Sequence, residues 1–362
     1  MQAQTITGNP LKQVLNFGQS IWYDGLISAA EFKKLIQEDG VRGATTNPAI
    51  FEKAVSSGQY DTLIKGSDAS HTAEEIFKTI AITTVREVCD QFMPIYQSTN
   101  GLDGFVSIEV NPLLANSFHR TVEEAQELWK RVDRKNAMIK VPATRAGVKA
   151  VEELILQGIN VNATLIFSIE RYSQVMNAYL SGLDNRAIER KTISGISSVA
   201  SFFVSRVDTA VDPLLEKTPA VKDLKGKIAV ANSQAAYREF LSVFSSARYR
   251  KLEIFGAQIQ RPLWASTGTK NPQYSDVLYV ETLIGPNTVN TMPPSTLAAF
   301  RDHGHPADRI REGADQAVAM LERLEESGIH LSQITEDLEK AGVQSFADAH
   351  HQIIEAIERK RK

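Results

Sequence analysis

The chain contains the segment Asn136-Ala137-Met138-Ile139-Lys140-Val141-Pro142-Ala143-Thr144, an apolar run that ends at a proline and carries a lysine. Short apolar runs with such a boundary are typical of buried strands. An unpaired ammonium is costly to remove from water, so Lys140 is expected to be paired, solvated or retained for chemistry. Side chains alternate along a strand, which puts Lys140 on the face opposite to Ile139 and Val141. If the aliphatic face packs on helices, Lys140 points into the space that the strands enclose.

The rest of the chain alternates between strand-like and helix-like stretches. We place eight strands at residues 21–24, 43–47, 105–110, 137–141, 161–167, 192–202, 262–266 and 278–284. Eight strands separated by helices predict an α/β fold, a (β/α)8 TIM barrel with additional helices, notably at the C-terminus. No Pro/Gly-rich linker divides the chain, so we expect one barrel domain over residues 1–362. Residues 294–362 are predicted to form a C-terminal helical extension packed on it.

Capping residues predict where several helices begin. Ser28 and Ser168 each precede a helical stretch, and Thr121 with Glu124 has the spacing of a capping box. After the eighth strand, residues 307–326 form one predicted helix. Two shorter helices are predicted to follow and to end in a basic tail, which we interpret as a solvated helix end.

Composition narrows the class of protein. The chain has 362 residues, of which 43% are hydrophobic and 23% charged, as in ordinary soluble proteins. Its net charge of −3 argues against nucleic-acid partners, and no apolar run is long enough for a membrane span. Residues 1–5 lack the pattern of a signal peptide, and Cys89 is the single cysteine, so we expect a cytoplasmic protein without disulfides. The oligomeric state stays open between monomer and homodimer.

Polar side chains recur late in the predicted strands and on one face of them. In the fifth strand, alternation puts Asn162 and Thr164 on one face and the apolar Ala163, Leu165 and Phe167 on the other. Barrel strands bury their outer face under helices, and barrel enzymes keep their active sites at the carboxyl ends of the strands. The predicted inward set is Asp24, Asn47, Glu109, Lys140, Asn162, Thr164, Ser201 and Ser266.

Each of these residues also has a plainer interpretation. Asn47, before Pro48, serves equally well to turn the chain. Lys140 and Glu109 can neutralise each other as a structural ion pair. The plainer view weakens when eight polar residues from seven strands converge, because aliphatic side chains fill a barrel more simply.

This set of residues suits Schiff-base carbon–carbon chemistry. Lys140 would attack a ketone and form an imine, which withdraws electrons from the adjacent carbon. Asp24 would take the proton of a hydroxyl while the carbon–carbon bond breaks. Glu109 and Thr164 could hold a water that shuttles protons. The iminium replaces a Lewis acid, so we predict no metal and no cofactor.

Other side chains are candidates for substrate binding. Asn47 and Asn162 could bind sugar hydroxyls. Arg206, at the start of a helix after the sixth strand, could bind a phosphate together with Ser266 and Lys270 after the seventh, because barrels often bind phosphate in their late loops. A surface role for Arg206 is an equal alternative. No histidine ends a strand, and neither common nucleotide-binding glycine motif is present.

At these residues the sequence resembles the transaldolase family. The matching segments run in order at residues 43–48, 106–110, 138–144, 158–168, 201–206 and 264–267. The most specific are Thr-Thr-Asn-Pro and Gly-Ile-Asn-x-Asn-x-Thr-Leu-x-Phe-Ser. The resemblance implies a class I barrel of the pentose phosphate pathway. It would move a dihydroxyacetone unit from sedoheptulose 7-phosphate to glyceraldehyde 3-phosphate, giving erythrose 4-phosphate and fructose 6-phosphate.

The resemblance also implies roles for individual residues. Lys140 would form the Schiff base, and Asp24 would perform acid–base catalysis. Glu109 and Thr164 would hold the catalytic water. The sugar would be contacted by Asn47, Asn162 and Ser201, and the phosphate by Arg206 and Ser266. One departure concerns Lys270, which stands near the position where many members carry an arginine. A lysine there would supply a positive charge but not the two parallel hydrogen bonds that an arginine guanidinium can donate to a phosphate.

Two alternatives compete with transfer. An aldolase on the same barrel would release dihydroxyacetone to water, but the smaller relatives of this kind tend to carry a tyrosine where this chain has Phe203. A phenyl ring cannot hydrogen-bond the catalytic water, which favours transfer. A non-catalytic sugar-phosphate-binding barrel would have no use for Lys140, Asp24 and Glu109 together.

Overall fold

Eight parallel strands form a closed barrel in which each strand pairs with the next and the last pairs with the first. The computed structural model describes residues 8–361, so residues 1–5, on which the signal-peptide expectation depends, lie outside the described residues. The strands are β1 Gln19–Asp24, β2 Ala44–Thr45, β3 Val106–Glu109, β4 Ala137–Pro142, β5 Val161–Ile166, β6 Ser198–Phe203, β7 Arg261–Ala265 and β8 Thr288–Met292. The prediction of a (β/α)8 barrel is confirmed.

Helices surround this barrel. They are α1 Pro10–Val14, α2 Ala29–Lys34, α3 Pro48–Ser56, α4 Asp61–Lys65, α5 Ala73–Ser98, α6 Phe118–Val132, α7 Arg145–Gln157, α8 Ile169–Ile188, α9 Ser205–Leu215, α10 Ile228–Phe244, α11 Ala247–Glu253, α12 Leu278–Thr282, α13 Pro294–His303, α14 Ala314–Glu326 and α15 Leu331–Arg361. Within residues 8–361, no helix combines the length and the apolar character that crossing a bilayer requires.

The two faces of the strands pack into different clusters, as strand alternation predicts. The outer face, with Ile139 and Val141, joins the large core under the helices. The inner face joins a second cluster, which includes Trp22, Met138 and Phe203. Lys140 therefore lies on the same inner face as Met138.

The fifth strand departs from simple alternation. Its pairing with β6 shifts register between Ala163 and Ile166, and Leu165 has a φ of 59°. Leu165 and Phe167 consequently pack in the inner cluster, whereas Ala163 packs outside. The prediction that all three oppose the polar residues of this strand is wrong for Leu165 and Phe167, because a bulge turns them inward.

The predicted eighth strand is also wrong. Residues 278–284 contain α12, and Glu281, which falls in that stretch, pairs with Arg309 at 3.0 Å outside the barrel. The strand that closes the barrel is β8, Thr288–Met292, which reads TVNTM. A short apolar run does not distinguish a strand from a buried helix turn, and β8 itself is largely polar.

Helix ends agree with the sequence in part. The hydroxyls of Ser28 and Ser168 cap α2 and α8 as predicted. The capping box at Thr121 is wrong, because α6 begins at Phe118 and the Thr121 hydroxyl donates to the Leu114 carbonyl instead. The two short C-terminal helices are a single helix, α15, of 31 residues.

Candidate active site

Strand register brings three of the predicted residues side by side on the inner face. Glu109 of β3 pairs with Lys140 of β4, which pairs with Asn162 of β5. The Lys140 ammonium lies 3.5 Å from Glu109 Oε2 and donates to the Thr46 carbonyl at 3.1 Å. These contacts put the amine inside the barrel, near the carboxyl ends of its strands.

Glu109 is a buried carboxylate with spare hydrogen-bonding capacity. Neither of its oxygens accepts a hydrogen bond of normal geometry from residues 8–361. Burial raises the pKa of Glu109 to about 7, although the nearby Lys140 charge and Asp24 also act on it in opposite directions. A carboxyl with such a pKa can accept and return a proton near neutral pH.

Asp24 ends β1 on the same inner face. The Thr45 hydroxyl donates to Asp24 Oδ1 at 2.7 Å and lies 2.6 Å from the Thr291 hydroxyl. Because Thr45 gives its one hydrogen to Asp24, Thr291 must be the donor in the second bond. Burial raises the pKa of Asp24, while Lys140 and the Thr45 hydrogen bond lower it.

A short hydrogen-bonded chain orients the Asn162 amide. The Ser201 hydroxyl donates to Asn162 Oδ1 at 2.7 Å, and Asn162 Nδ2 donates to the Ser107 hydroxyl at 3.0 Å. These two bonds assign the amide oxygen and nitrogen and leave one N–H for a ligand. The neighbouring Thr164 hydroxyl is buried and has no hydrogen-bond partner among residues 8–361. Buried polar groups of this kind are normally satisfied, so a water or a substrate is expected to bind here.

Asn47 combines its plainer role with a free donor group. Its Oδ1 accepts from the Ile50 amide at 3.0 Å and so caps α3. The side chain is half-buried, and its Nδ2 takes no part in the cap. The cap holds the side chain in one orientation and leaves the amide N–H groups available.

The two predicted phosphate ligands Arg206 and Ser266 lie on adjacent segments. Arg206 is the second residue of α9, and its guanidinium carbon lies 5.4 Å from the centre of the Phe203 ring. Burial lowers the pKa of Arg206, which nevertheless stays charged at neutral pH. Ser266 follows β7 with a φ of 56°, and its hydroxyl lies 2.9 Å from that of Ser205. A left-handed turn, and not strand alternation as expected, therefore orients Ser266.

Lys270 lies further along the same loop and is exposed. It lines a cavity of about 260 Å3 together with the carboxylates of Asp208 and Asp212 and the rings of Tyr274 and Tyr279. The lining of this cavity also includes Glu216 and Lys225, so it carries charges of both signs.

Sequence reasoning missed three residues of this site. Thr45 could have been found, because it precedes Asn47 by two positions and strand alternation puts both on one face. Thr291 was missed because the eighth strand was placed too early. Phe346 of α15, whose ring centre lies 5.7 Å from the Lys140 nitrogen, carries no local signal in the sequence.

Within 8–361, no three His, Cys, Asp or Glu side chains form a group that could hold a metal ion. The chemistry that this geometry permits is that of an amine, two carboxyls with raised pKa values and several oriented hydroxyls and amides.

The chain is similar in sequence to the members of one enzyme family. The profile of the Transaldolase/Fructose-6-phosphate aldolase family matches residues 21–357. A transaldolase of Trichodesmium erythraeum is 43% identical over 98% of both chains, and transaldolase 2 of Streptomyces coelicolor is 45% identical over 97% of both. A transaldolase of Mycobacterium tuberculosis is 44% identical over 93% of both. The chain belongs to the transaldolase/fructose-6-phosphate aldolase family, and the enzyme class that these relatives share is transaldolase.

Proposed function

We propose that this enzyme transfers a dihydroxyacetone unit from sedoheptulose 7-phosphate to glyceraldehyde 3-phosphate through a Schiff base on Lys140. The products are erythrose 4-phosphate and fructose 6-phosphate. The observation that carries the proposal is the position of the Lys140 nitrogen inside the barrel, 3.5 Å from a carboxylate whose oxygens have no hydrogen-bond partner among residues 8–361. A purely structural ion pair would be expected to have those oxygens satisfied.

The first half of the reaction forms and cleaves the adduct. Glu109 takes a proton from the ammonium, and the free amine attacks the ketone carbon. The former ketone oxygen leaves as water after it takes up protons, which yields the iminium. Asp24 then removes the proton of the hydroxyl on the second carbon from the iminium carbon. The bond between that carbon and the carbon next to the iminium breaks, and its electron pair moves into the iminium to form an eneamine. Erythrose 4-phosphate leaves as the aldehyde.

The second half reverses these steps on another aldehyde. The eneamine carbon attacks the carbonyl carbon of glyceraldehyde 3-phosphate, whose oxygen takes the proton back from Asp24. Water then adds to the iminium carbon, the bond to Lys140 breaks, and the nitrogen takes a proton as fructose 6-phosphate leaves. Glu109 and the unpartnered hydroxyl of Thr164 hold that water.

Binding follows from the remaining side chains. Asn47, Asn162 and Ser201 hold the hydroxyls of the sugar through the amide and hydroxyl groups described above. Arg206 and Ser266 hold the phosphate. Lys270, which is exposed on the loop after β7, would supply a second cation.

The wider setting is proposed on the same basis. We propose that the enzyme works without a cofactor in the non-oxidative pentose phosphate pathway of the cytoplasm. Residues 1–362 are proposed to act as one barrel domain with a packed C-terminal extension over residues 294–362, as a monomer or a homodimer.

Borohydride reduction with fructose 6-phosphate tests this function. We expect a covalent adduct whose modified peptide contains Lys140. The Asp24→Ala variant should also form the adduct but cleave it slowly, because Asp24 acts after imine formation. Absence of any adduct would indicate a non-catalytic sugar-phosphate-binding barrel. Rapid release of dihydroxyacetone without an acceptor aldehyde would indicate an aldolase.

A further inference from the structure

The C-terminal helix α15 is fixed across one side of the barrel mouth. Three polar side-chain pairs bind it to other helices. They are Glu339 with Arg171 at 3.0 Å, His350 with Glu74 at 2.9 Å, and Lys360 with Asp61 at 2.6 Å. The part of α15 between the first two pairs contains Gly342 and Phe346, which lie one helical turn apart on its buried face.

Gly342 lets this part of the helix approach the barrel closely. A methyl group at Gly342 would come within 3.0 Å of a Leu165 methyl carbon and 3.7 Å of the Arg206 guanidinium. Leu165 is the inward-turned residue of the β5 bulge, with a φ of 59° that leucine rarely adopts. The bulge and the glycine therefore meet at the mouth of the barrel, where the missing side chain of Gly342 permits the close approach.

The close approach places an aromatic ring over the reactive amine. Phe346 is 4% exposed, Lys140 is 4% exposed, and the ring centre lies 5.7 Å from the nitrogen. Phe346 also packs with Phe167, Phe203 and Leu165 in the inner cluster. None of the steps proposed above uses Phe346, so its contact with the amine calls for a separate explanation.

We propose that Phe346 is a specificity-determining residue, which keeps the lysine-bound dihydroxyacetone unit for a sugar aldehyde by excluding bulk water. This inference rests on the proposed function. After the first product leaves, the eneamine carbon can attack an aldehyde or take a proton from solvent. In the second case water adds to the resulting iminium carbon, the bond to Lys140 breaks, the nitrogen takes a proton, and free dihydroxyacetone leaves. An apolar cover over the nitrogen slows this route, because it keeps bulk water away from the eneamine.

The partition between the two routes tests the inference. The full chain is given fructose 6-phosphate, with or without erythrose 4-phosphate as acceptor, and free dihydroxyacetone and sedoheptulose 7-phosphate are measured. For Phe346→Ala we expect the ratio of dihydroxyacetone release to transfer to rise at least about tenfold, because solvent reaches the eneamine. For Phe346→Leu, which retains an apolar but smaller cover, we expect a rise of about threefold. The Leu variant also provides the test if the Ala variant fails to fold.

Gln344→Ala is the matched control on the same helix. Gln344 is exposed and its amide donates to Asp348 on the outer side of α15, so the ratio should stay at the wild-type value. An unchanged ratio in both Phe346 variants, with release and transfer falling together, would overturn the inference and leave Phe346 a structural role. If the wild-type chain forms no borohydride adduct, the proposed function fails and this inference with it. If the adduct forms but the ratio of dihydroxyacetone release to transfer is unchanged in the Phe346 variants, this inference fails and the proposed function stands.

Discussion

Two buried ion pairs lie inside the barrel, one near each end, and they are equally hidden from solvent. The side chains of Arg261 and Asp103, at the amino end, are 5% and 4% exposed, and those of Lys140 and Glu109, at the carboxyl end, are also 5% and 4% exposed. Exposure alone therefore does not distinguish a pair that stabilises the fold from a pair that performs chemistry.

The hydrogen bonds of the two carboxylates do distinguish them. Asp103 accepts from Arg261 at 2.8 Å, from the Ser20 hydroxyl at 2.8 Å and from the Trp22 indole at 3.3 Å. Glu109 accepts no hydrogen bond of normal geometry from residues 8–361. A satisfied pair is costly to break, whereas an unsatisfied pair retains capacity for a ligand and a proton. Four experiments test this distinction.

The largest expected effect is on turnover in Lys140→Met. Removing the amine should lower transaldolase activity by at least about 10⁴-fold, since the covalent route is lost. The free energy of unfolding should stay within about 1 kcal/mol of the wild type, because Glu109 can take a proton when its partner is removed. Steady-state kinetics and urea denaturation measure the two quantities, with Lys130→Met on the surface as the control. Residual activity near the wild-type level would refute the mechanism.

Breaking the pair at the amino end should have the opposite result. Asp103→Ala leaves the Arg261 charge buried without its carboxylate, so the free energy of unfolding should fall by about 3–5 kcal/mol. The turnover of the protein that stays folded should change less than about twofold, because the site lies at the other end of the barrel. Asp223→Ala breaks an exposed pair with Arg323 and should lower the free energy of unfolding far less than Asp103→Ala does. Equal losses of unfolding free energy in Asp103→Ala and Asp223→Ala would contradict the comparison.

The third effect is on the pH dependence of stability. Burial raises the pKa of Glu109 from 4.5 to about 7, so between these values the folded chain holds more protons than the unfolded chain. The free energy of unfolding therefore falls as the pH rises from 4.5 to about 7, by about 3 kcal/mol at most. Glu109→Gln should lack this loss.

Urea midpoints at pH 5 and pH 8 measure this third effect. The decline from pH 5 to pH 8 should be smaller in Glu109→Gln than in the wild type, and the exposed Glu123→Gln should behave as the wild type does. Parallel declines in all three proteins would show that Glu109 does not titrate in this interval.

The smallest expected effect concerns the hydrogen bond to Asp24. The Thr45 hydroxyl lowers the pKa of Asp24, so Thr45→Val should raise that pKa and move the acidic limb of kcat/KM to higher pH. Thr291→Val, which acts through Thr45, should produce a smaller shift, and Thr45→Ser should restore the wild-type profile. A shift from Thr291→Val larger than that from Thr45→Val would contradict the order of these bonds.

The sequence by itself determined the barrel, the inward position of Lys140 and the capped starts of α2 and α8. These features are local, because strand alternation and helix capping depend on residues within one turn or one strand. Asp24, Glu109 and Asn162 could be assigned to the same interior for that reason.

Only the tertiary structure decided the remaining features. The β5 bulge turns Leu165 inward through register with its neighbour, and Thr288–Met292 closes the barrel because β1 and β7 supply its backbone partners. Phe346 reaches Lys140 from a helix that lies about 200 residues later in the chain. Contacts between such distant residues arise from packing, which no pattern within a short segment encodes.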